Sequence, residues 1–466
     1  MKKQIVFILA LLTSTVLFSQ SPVGSWNGLL KVQGQQLRLV INIQQAENGY
    51  KATMDSPDQG AKDIPVDRVT FNNDTLTLEV KTIGITYTGV LGADKVIKGT
   101  FTQMGMSLPL DLSAQPVEKE KLVRPQEPQK PFPYYTEEVK FTNPNGDILA
   151  GTLTLPKKEG KFPVVVMISG SGAQNRDEEL MGHKPFLVIA DFLTRNGIGV
   201  LRYDDRGTAQ STGDFQKATS IDLAKDAEAA VSYLLTRKEI NKKKIGLIGH
   251  SEGGIIAPIV AVRNKKVAFI VMLAGPGLRG KELLVLQTEA IGKASGMNTT
   301  EMEKVTKLNT GAYNIVLNAN DTSKLKSDLN TYFQRTLKDN PILSEKSTIE
   351  QIEMQVKGYT EQLSSPWMQY FIKYDPFPML KKVKCPTLAL NGSKDLQVPS
   401  MENLAAIRNA FSESGNKKLT AVELPGLNHL FQESTTGSPI EYAKIEQTFS
   451  PVALNEILKF IRIQTK

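Results

Sequence analysis

From Gly24 to about Leu112, apolar and polar residues alternate. Leu37, Leu39, Ile41 and Ile43 fall on one side of the chain with polar partners between them; Leu76, Leu78 and Val80 repeat the pattern, as do Ile83, Ile85 and Tyr87. A period of two puts such residues on one face of a strand. Turn formers separate the runs at Asn48-Gly49, Asn72 to Asp74 and Gly92 to Asp94. Residues 21–114 therefore predict a small antiparallel β-sandwich or barrel, with Trp26 as a core plug. Pro116, Pro125, Pro128, Pro131 and Pro133 then mark 115–135 as an extended, semi-rigid linker.

Beyond the linker the period changes. Short runs rich in Val, Ile and Leu recur at 137–141, 148–155, 164–168, 199–203, 244–248 and 269–273, with helical patterns between them, notably Ile221 to Leu235. The alternation resumes at 387–390 and 419–424 and ends in a helix from Pro451 to Ile463. Strands buried on both faces and alternating with helices predict an α/β domain, a mostly parallel sheet covered by helices on each side, over 136–466. An insert at about 278–380 breaks the pattern. It is rich in Lys and Glu, has helical spacing and no strand signal, and follows the sixth strand, where a lid would cover one edge of the sheet.

Composition adds three constraints. Met1-Lys2-Lys3, the apolar run Ile5 to Phe18 and the polar Ser19-Gln20 have the form of a signal peptide over 1–20, too short to span a bilayer, so export to a periplasm or the exterior is expected, with no integral membrane segment left after cleavage. The single cysteine, Cys385, excludes an intrachain disulfide, and three scattered histidines lack metal-ligand spacing, so neither metal nor cofactor is expected. The net charge of +8 is spread in groups such as Lys242-Lys243-Lys244 and Lys381-Lys382, which reads as solvated surface and no nucleic-acid partner.

The chemistry centres on Gly249-His250-Ser251-Glu252-Gly253, placed between the β-branched run 244–248 and a small, apolar helical stretch, 254–260. A serine on a strand-to-helix turn holds its hydroxyl clear of the backbone, and it needs a base held in one tautomer by an acid. His250, locked beside Ser251, cannot fold back onto its neighbour's hydroxyl and is expected to pack under the turn. His183 precedes the nucleophile. His429 follows the last strand in Pro425-Gly426-Leu427-Asn428-His429 and is the expected base. Asp395, in the loop after 387–390, stands between serine and histidine in chain order and is the expected acid, with Asp375 in Tyr374-Asp375-Pro376 as runner-up. Oxyanion donors are expected from the backbone N–H of Glu252 and from the loop Ser169-Gly170-Ser171-Gly172-Ala173, with Ser171 first and Gly172 second.

These motifs, taken in order with Tyr203-Asp204-Asp205-Arg206-Gly207, resemble the α/β-hydrolase superfamily over residues 136–466. More narrowly, they are similar to exported bacterial carboxylesterases with an N-terminal β domain and a helical lid. The resemblance implies hydrolysis of a small-molecule carboxylic ester through an acyl-enzyme on Ser251, with Arg206 bracing loops. A serine aminopeptidase with Glu178 or Glu179 as amine anchor stays open, although those acids read as solvated, and so do a thioesterase, an acyltransferase and an inactive binding module. In the insert, Trp367, Tyr370, Phe371 and Tyr374 fall on one helical face, which suits packing onto the catalytic domain or lining of a substrate pocket.

Overall fold

The structure is a computed structural model that describes residues 21–32, 35–103, 106–119, 124–338 and 349–466; the signal-peptide segment lies outside them. The chain divides into two compact units, one of 1–32 with 36–120, the other of 121–466 with 33–35. No helix among the described residues is long and apolar enough to cross a membrane.

The first unit is one ten-stranded antiparallel sheet. Its strands are β1 (Gly24–Val32), β2 (Gln35–Ala46), β3 (Gly49–Ser56), β4 (Ala61–Pro65), β5 (Arg68–Asn72), β6 (Thr75–Val80), β7 (Ile85–Leu91), β8 (Val96–Gln103), β9 (Met106–Pro109) and β10 (Leu112–Ser113), ordered β4-β3-β2-β1-β10-β8-β7-β6-β5 with β9 on β8. Alternation decides which side is buried: Leu39, Ile41 and Ile43 share one core with Leu76, Leu78, Val80 and Tyr87. Because strands from both halves of the sheet meet in that core, the sheet curls onto itself. Trp26 is 6% exposed and donates from Nε1 to the Pro22 carbonyl at 2.7 Å. Ile83 closes a 3₁₀ turn (Lys81–Ile83) instead of opening β7, because Gly84 adopts φ +61° and restarts the chain.

The second unit carries an eight-stranded sheet: β11 (Tyr135–Thr142), β12 (Ile148–Leu155), β13 (Phe162–Ile168), β14 (Gly199–Tyr203), β15 (Ile240–His250), β16 (Val267–Leu273), β17 (Thr387–Gly392) and β18 (Leu419–Leu424), in the order β11-β12-β14-β13-β15-β16-β17-β18. β12 runs antiparallel to β11 and β14, and every other pair is parallel. The near-continuous apolar strands follow from burial on both faces. Val164, Val166 and Ile168 enter one core with helices α2 (Ser220–Thr236) and α3 (Gly253–Arg263), while Val165 and Met167 enter the other with α1 (Pro185–Arg195) and the C-terminal helix (Pro451–Gln464).

Between β16 and β17 lie α4 (Gly280–Ala294), α5 (Thr299–Asn318), α6 (Thr322–Lys338), α7 (Ile349–Leu363), α8 (Pro366–Lys373) and the single turn α9 (Phe377–Leu380). The insert builds its own core from Leu308, Val316, Leu329, Phe333, Val356 and Ile372. The linker differs from a bare spacer at its described end. Arg124 donates to the carbonyls of Met181, Gly182, Ala443 and Ile445, and the Gln126 amide bonds Phe449 and Thr448, so the second unit ties this stretch down.

Candidate active site

Strand β15 ends at the elbow, and the backbone there explains its glycines. Ser251 sits at φ +51°, a left-handed value that a non-glycine residue holds only where its surroundings enforce it. A Cβ at Gly249 would collide with the carbonyl of Gly253, and one at Gly253 with the carbonyl of Ile168. The Ser251 N–H is fixed on the Leu273 carbonyl at 2.8 Å, while the residue itself keeps partial exposure.

His429 and Asp395 meet at the same edge of the sheet. The imidazole donates from Nδ1 to Asp395 Oδ2 at 2.8 Å, with both side chains buried. Asp395 is held in turn by the N–H groups of Gln397 and Val398 on Oδ1, at 2.9 and 2.8 Å. This leaves Nε2 as the nitrogen with basic capacity. Ser251 Oγ makes no hydrogen bond to it among the described residues. The runner-up Asp375 lies elsewhere: it pairs with Arg279 at 3.0 Å and caps the Phe377 N–H. His183 is fully buried, with Nδ1 on Thr448 and Nε2 on the Tyr442 carbonyl, and burial pushes its pKa down to about 4.

On the oxyanion side, the N–H groups of Glu252, Ser171 and Gly172 donate to no acceptor among the described residues, whereas the Gly170 N–H is taken by Glu178 Oε1 at 2.7 Å. Asp205 receives Ser169 Oγ at 2.9 Å and the Gln174 N–H at 3.0 Å and so clamps both ends of that loop; burial raises its pKa to about 8. Arg206 forks onto Asp226 through Nε and Nη2, both at 2.7 Å, and braces the loop after β14 onto α2.

Three contacts were not legible from the sequence. Glu178 is 4% exposed and not solvated; besides Gly170 it takes a hydrogen bond from His250 Nδ1 at 3.0 Å. His250 donates its other nitrogen, Nε2, to the His429 carbonyl at 2.9 Å. Burial opposes the charged ring, but the Glu178 carboxylate outweighs it and raises the pKa, as two donating nitrogens require. Third, the Glu252 carboxyl is buried with its pKa raised by that burial, and Oε1 accepts from Ser220 Oγ at 2.6 Å and from the lid indole of Trp367 at 2.8 Å.

The lid aromatics split into two stacked pairs, Trp367 with Phe371 at 5.1 Å and Tyr370 with Tyr374 at 5.4 Å between centroids. Phe371 is part of the catalytic core, and Trp367 and Tyr374 pack against it. A lid cavity of about 750 Å³, lined by Glu289, Lys293, Met302 and Thr306 among others, holds none of the candidate catalytic residues.

A mostly parallel sheet with this elbow and a carboxylate-paired histidine at its edge defines a serine hydrolase of the α/β-hydrolase superfamily. Within it, the chain belongs to the X-Pro dipeptidyl-peptidase (S15) family, which residues 145–421 match. The chain is 27% identical over 300 residues to the Esterase EstD of Thermotoga maritima, covering 64% of this chain and 61% of that protein. It is 32% identical over 154 residues to the uncharacterized protein PA2218 of Pseudomonas aeruginosa, covering 31% of this chain and 39% of that one. In both cases it spans less than two thirds of the relative. Among solved structures, the alpha/beta hydrolase GrgF from Penicillium sp. sh18 superposes with a TM-score of 0.43 at 17% identity over 71% of this chain and 99% of that one. The Pyrococcus furiosus esterase Pf2001 gives 0.43 at 17% over 75% and 100%.

Proposed function

We propose that the protein hydrolyses carboxylic esters through an acyl-enzyme on Ser251. The observation that carries the reading is the buried 2.8 Å pair of His429 Nδ1 and Asp395 Oδ2 at the sheet edge where the Ser251 elbow ends. Ser251 Oγ attacks the carbonyl carbon while His429 Nε2 takes its proton. Asp395 holds the Nδ1–H tautomer and stabilises the imidazolium. The carbonyl oxygen, now an oxyanion, is met by the N–H of Glu252 and by that of Ser171 or Gly172. As the tetrahedral adduct collapses, the imidazolium protonates the departing alcohol. A water deprotonated by His429 then cleaves the acyl-enzyme, releasing acid and restoring Ser251.

Membership of an X-Pro dipeptidyl-peptidase family keeps a serine peptidase as the second reading. The carboxylates favour the ester. Glu178 is committed to Gly170 and His250, Glu179 is exposed, and the buried, pKa-raised Glu252 suits a neutral acid better than a counter-ion for an ammonium. The name of the Thermotoga relative points the same way. Export by the N-terminal segment to a periplasm or the exterior is part of the same proposal. Turnover of p-nitrophenyl esters of rising chain length, beside aminoacyl p-nitroanilides, tests it: higher kcat/KM on esters supports the reading, and preference for the anilides replaces it with the peptidase.

A further inference from the structure

Lysines that stand far apart in the sequence converge at one end of the catalytic sheet. In the parallel run β15-β16-β17-β18 every strand starts at the same edge, and the register pairs Ile245 with Val267, Ile270 with Thr387 and Thr387 with Leu419. Leading into those positions are Lys242 and Lys243, Lys265 and Lys266, Lys384, and Lys417 and Lys418, all exposed. Strands about 4.8 Å apart place the outermost starts about 15 Å from each other, so the charges form one belt.

Several acids near that end are already engaged, whereas Glu159, in the loop leading into β13, is exposed. Glu239 pairs with Arg237, Glu228 with Arg263 and Glu413 with Lys381, and Lys244 Nζ turns to the carbonyls of Thr465 and Lys466. None of the seven lysines of the belt enters a salt bridge among the described residues; Lys265 donates to the Val262 carbonyl and keeps its charge. The candidate catalytic groups occupy the opposite edge, since Ser251, Asp395 and His429 all follow the C-terminal ends of β15, β17 and β18.

We propose that this basic edge docks the enzyme on an anionic lipid surface, with headgroup phosphates as the contacted groups and the catalytic edge turned toward solvent. The belt is made of lysines, strongly hydrated point charges without the fork that reads a single bound phosphate, which suits a diffuse array of charge. It contains no aromatic side chain on which a base could stack. The choice of lipid as the polyanion rests on the export proposed above; the belt itself does not.

Co-sedimentation of the full chain with phosphatidylcholine vesicles, with and without phosphatidylglycerol, tests the proposal without needing turnover, so its failure and failure of the esterase reading are separate results. The chain is expected to bind only the anionic vesicles and to be released by high salt. K242Q/K243Q/K417Q/K418Q should weaken binding by about five-fold per lysine, on the order of several-hundred-fold together, with an unchanged Tm. K265Q/K266Q/K384Q is the second variant should the first fold poorly, with the same direction expected. Absent or salt-insensitive binding, equal binding by folded variants, or binding to duplex DNA without binding to vesicles would overturn it.

Discussion

His250 Nε2 donates to the backbone carbonyl of His429 at 2.9 Å, across 179 positions of sequence. Its Nδ1 donates to Glu178, whose Oε1 also takes the Gly170 N–H. One buried ring thus joins the elbow, the proposed oxyanion loop and the loop of the proposed base, three segments whose relative placement would set the geometry of the proposed acyl transfer.

Removing the acceptor should loosen all three. Glu178→Ala leaves two buried donors unsatisfied, and kcat on a p-nitrophenyl ester is expected to fall roughly 10- to 100-fold with little change in KM. Glu178→Gln, which keeps an acceptor oxygen, should recover part of the loss. Unchanged kcat in the alanine variant would show that the ring only fills space.

The two aspartates considered from sequence are now separated by their partners. Asp395→Asn turns the acceptor of the His429 Nδ1–H into an amide that can favour the wrong tautomer, and the expected loss in kcat is on the order of 10⁴. Asp375→Asn touches an Arg279 pair at the surface and should change kcat by no more than a few-fold. Steady-state kinetics of the two variants decide, and the reverse order would move the acid to Asp375.

Much of the catalytic unit was legible because its strands are buried on both faces. Val164 to Ile168 and Phe269 to Leu273 read as unbroken apolar runs, and the parallel pairing of β15 to β18 brings the candidates Ser251, Asp395 and His429 to one edge. The partners of charged groups were not legible. A glutamate such as Glu178 reads as solvated until the fold brings it to Gly170 and His250, and the hydrogen bond from Trp367 to Glu252 spans 115 positions. Nor does spacing show that lysines from four strands share one edge, because sequence separation hides parallel register.

The lid face can be assigned by separating pocket from packing. Tyr370 is half-buried, stacked on Tyr374, and burial pushes its phenol up to about 12. If it only packs, Tyr370→Ala lowers Tm and leaves the ratio of short-ester to long-ester kcat/KM unchanged. If it lines the acyl site, that ratio shifts by about 1 to 3 kcal/mol per methylene. The packing of Trp367, Phe371 and Tyr374 on the catalytic core leads us to expect the first result.

His183 gives the stability a pH dependence separate from catalysis. Its folded pKa of about 4 lies below the unfolded value of about 6.5, so the unfolded state binds the proton more readily. The stability tied to the neutral ring is therefore complete above about pH 6.5 and lost as pH falls toward 4, on the order of 3 kcal/mol over that window. His183→Gln should be less stable at pH 7 and lose that slope. Urea midpoints at pH 7 and pH 4 measure it, and parallel curves for the two proteins would contradict it.

The central claim is that Ser251 is the nucleophile and His429 its base. Labelling the active protein with a fluorophosphonate and mapping the adduct by peptide mass spectrometry tests this most directly. One adduct is predicted, on the peptide carrying Ser251, absent from Ser251→Ala, which should also lose about 10⁴- to 10⁶-fold in turnover, and strongly slowed in His429→Ala. An adduct on any other residue, or none in a preparation that still hydrolyses esters, would contradict the account.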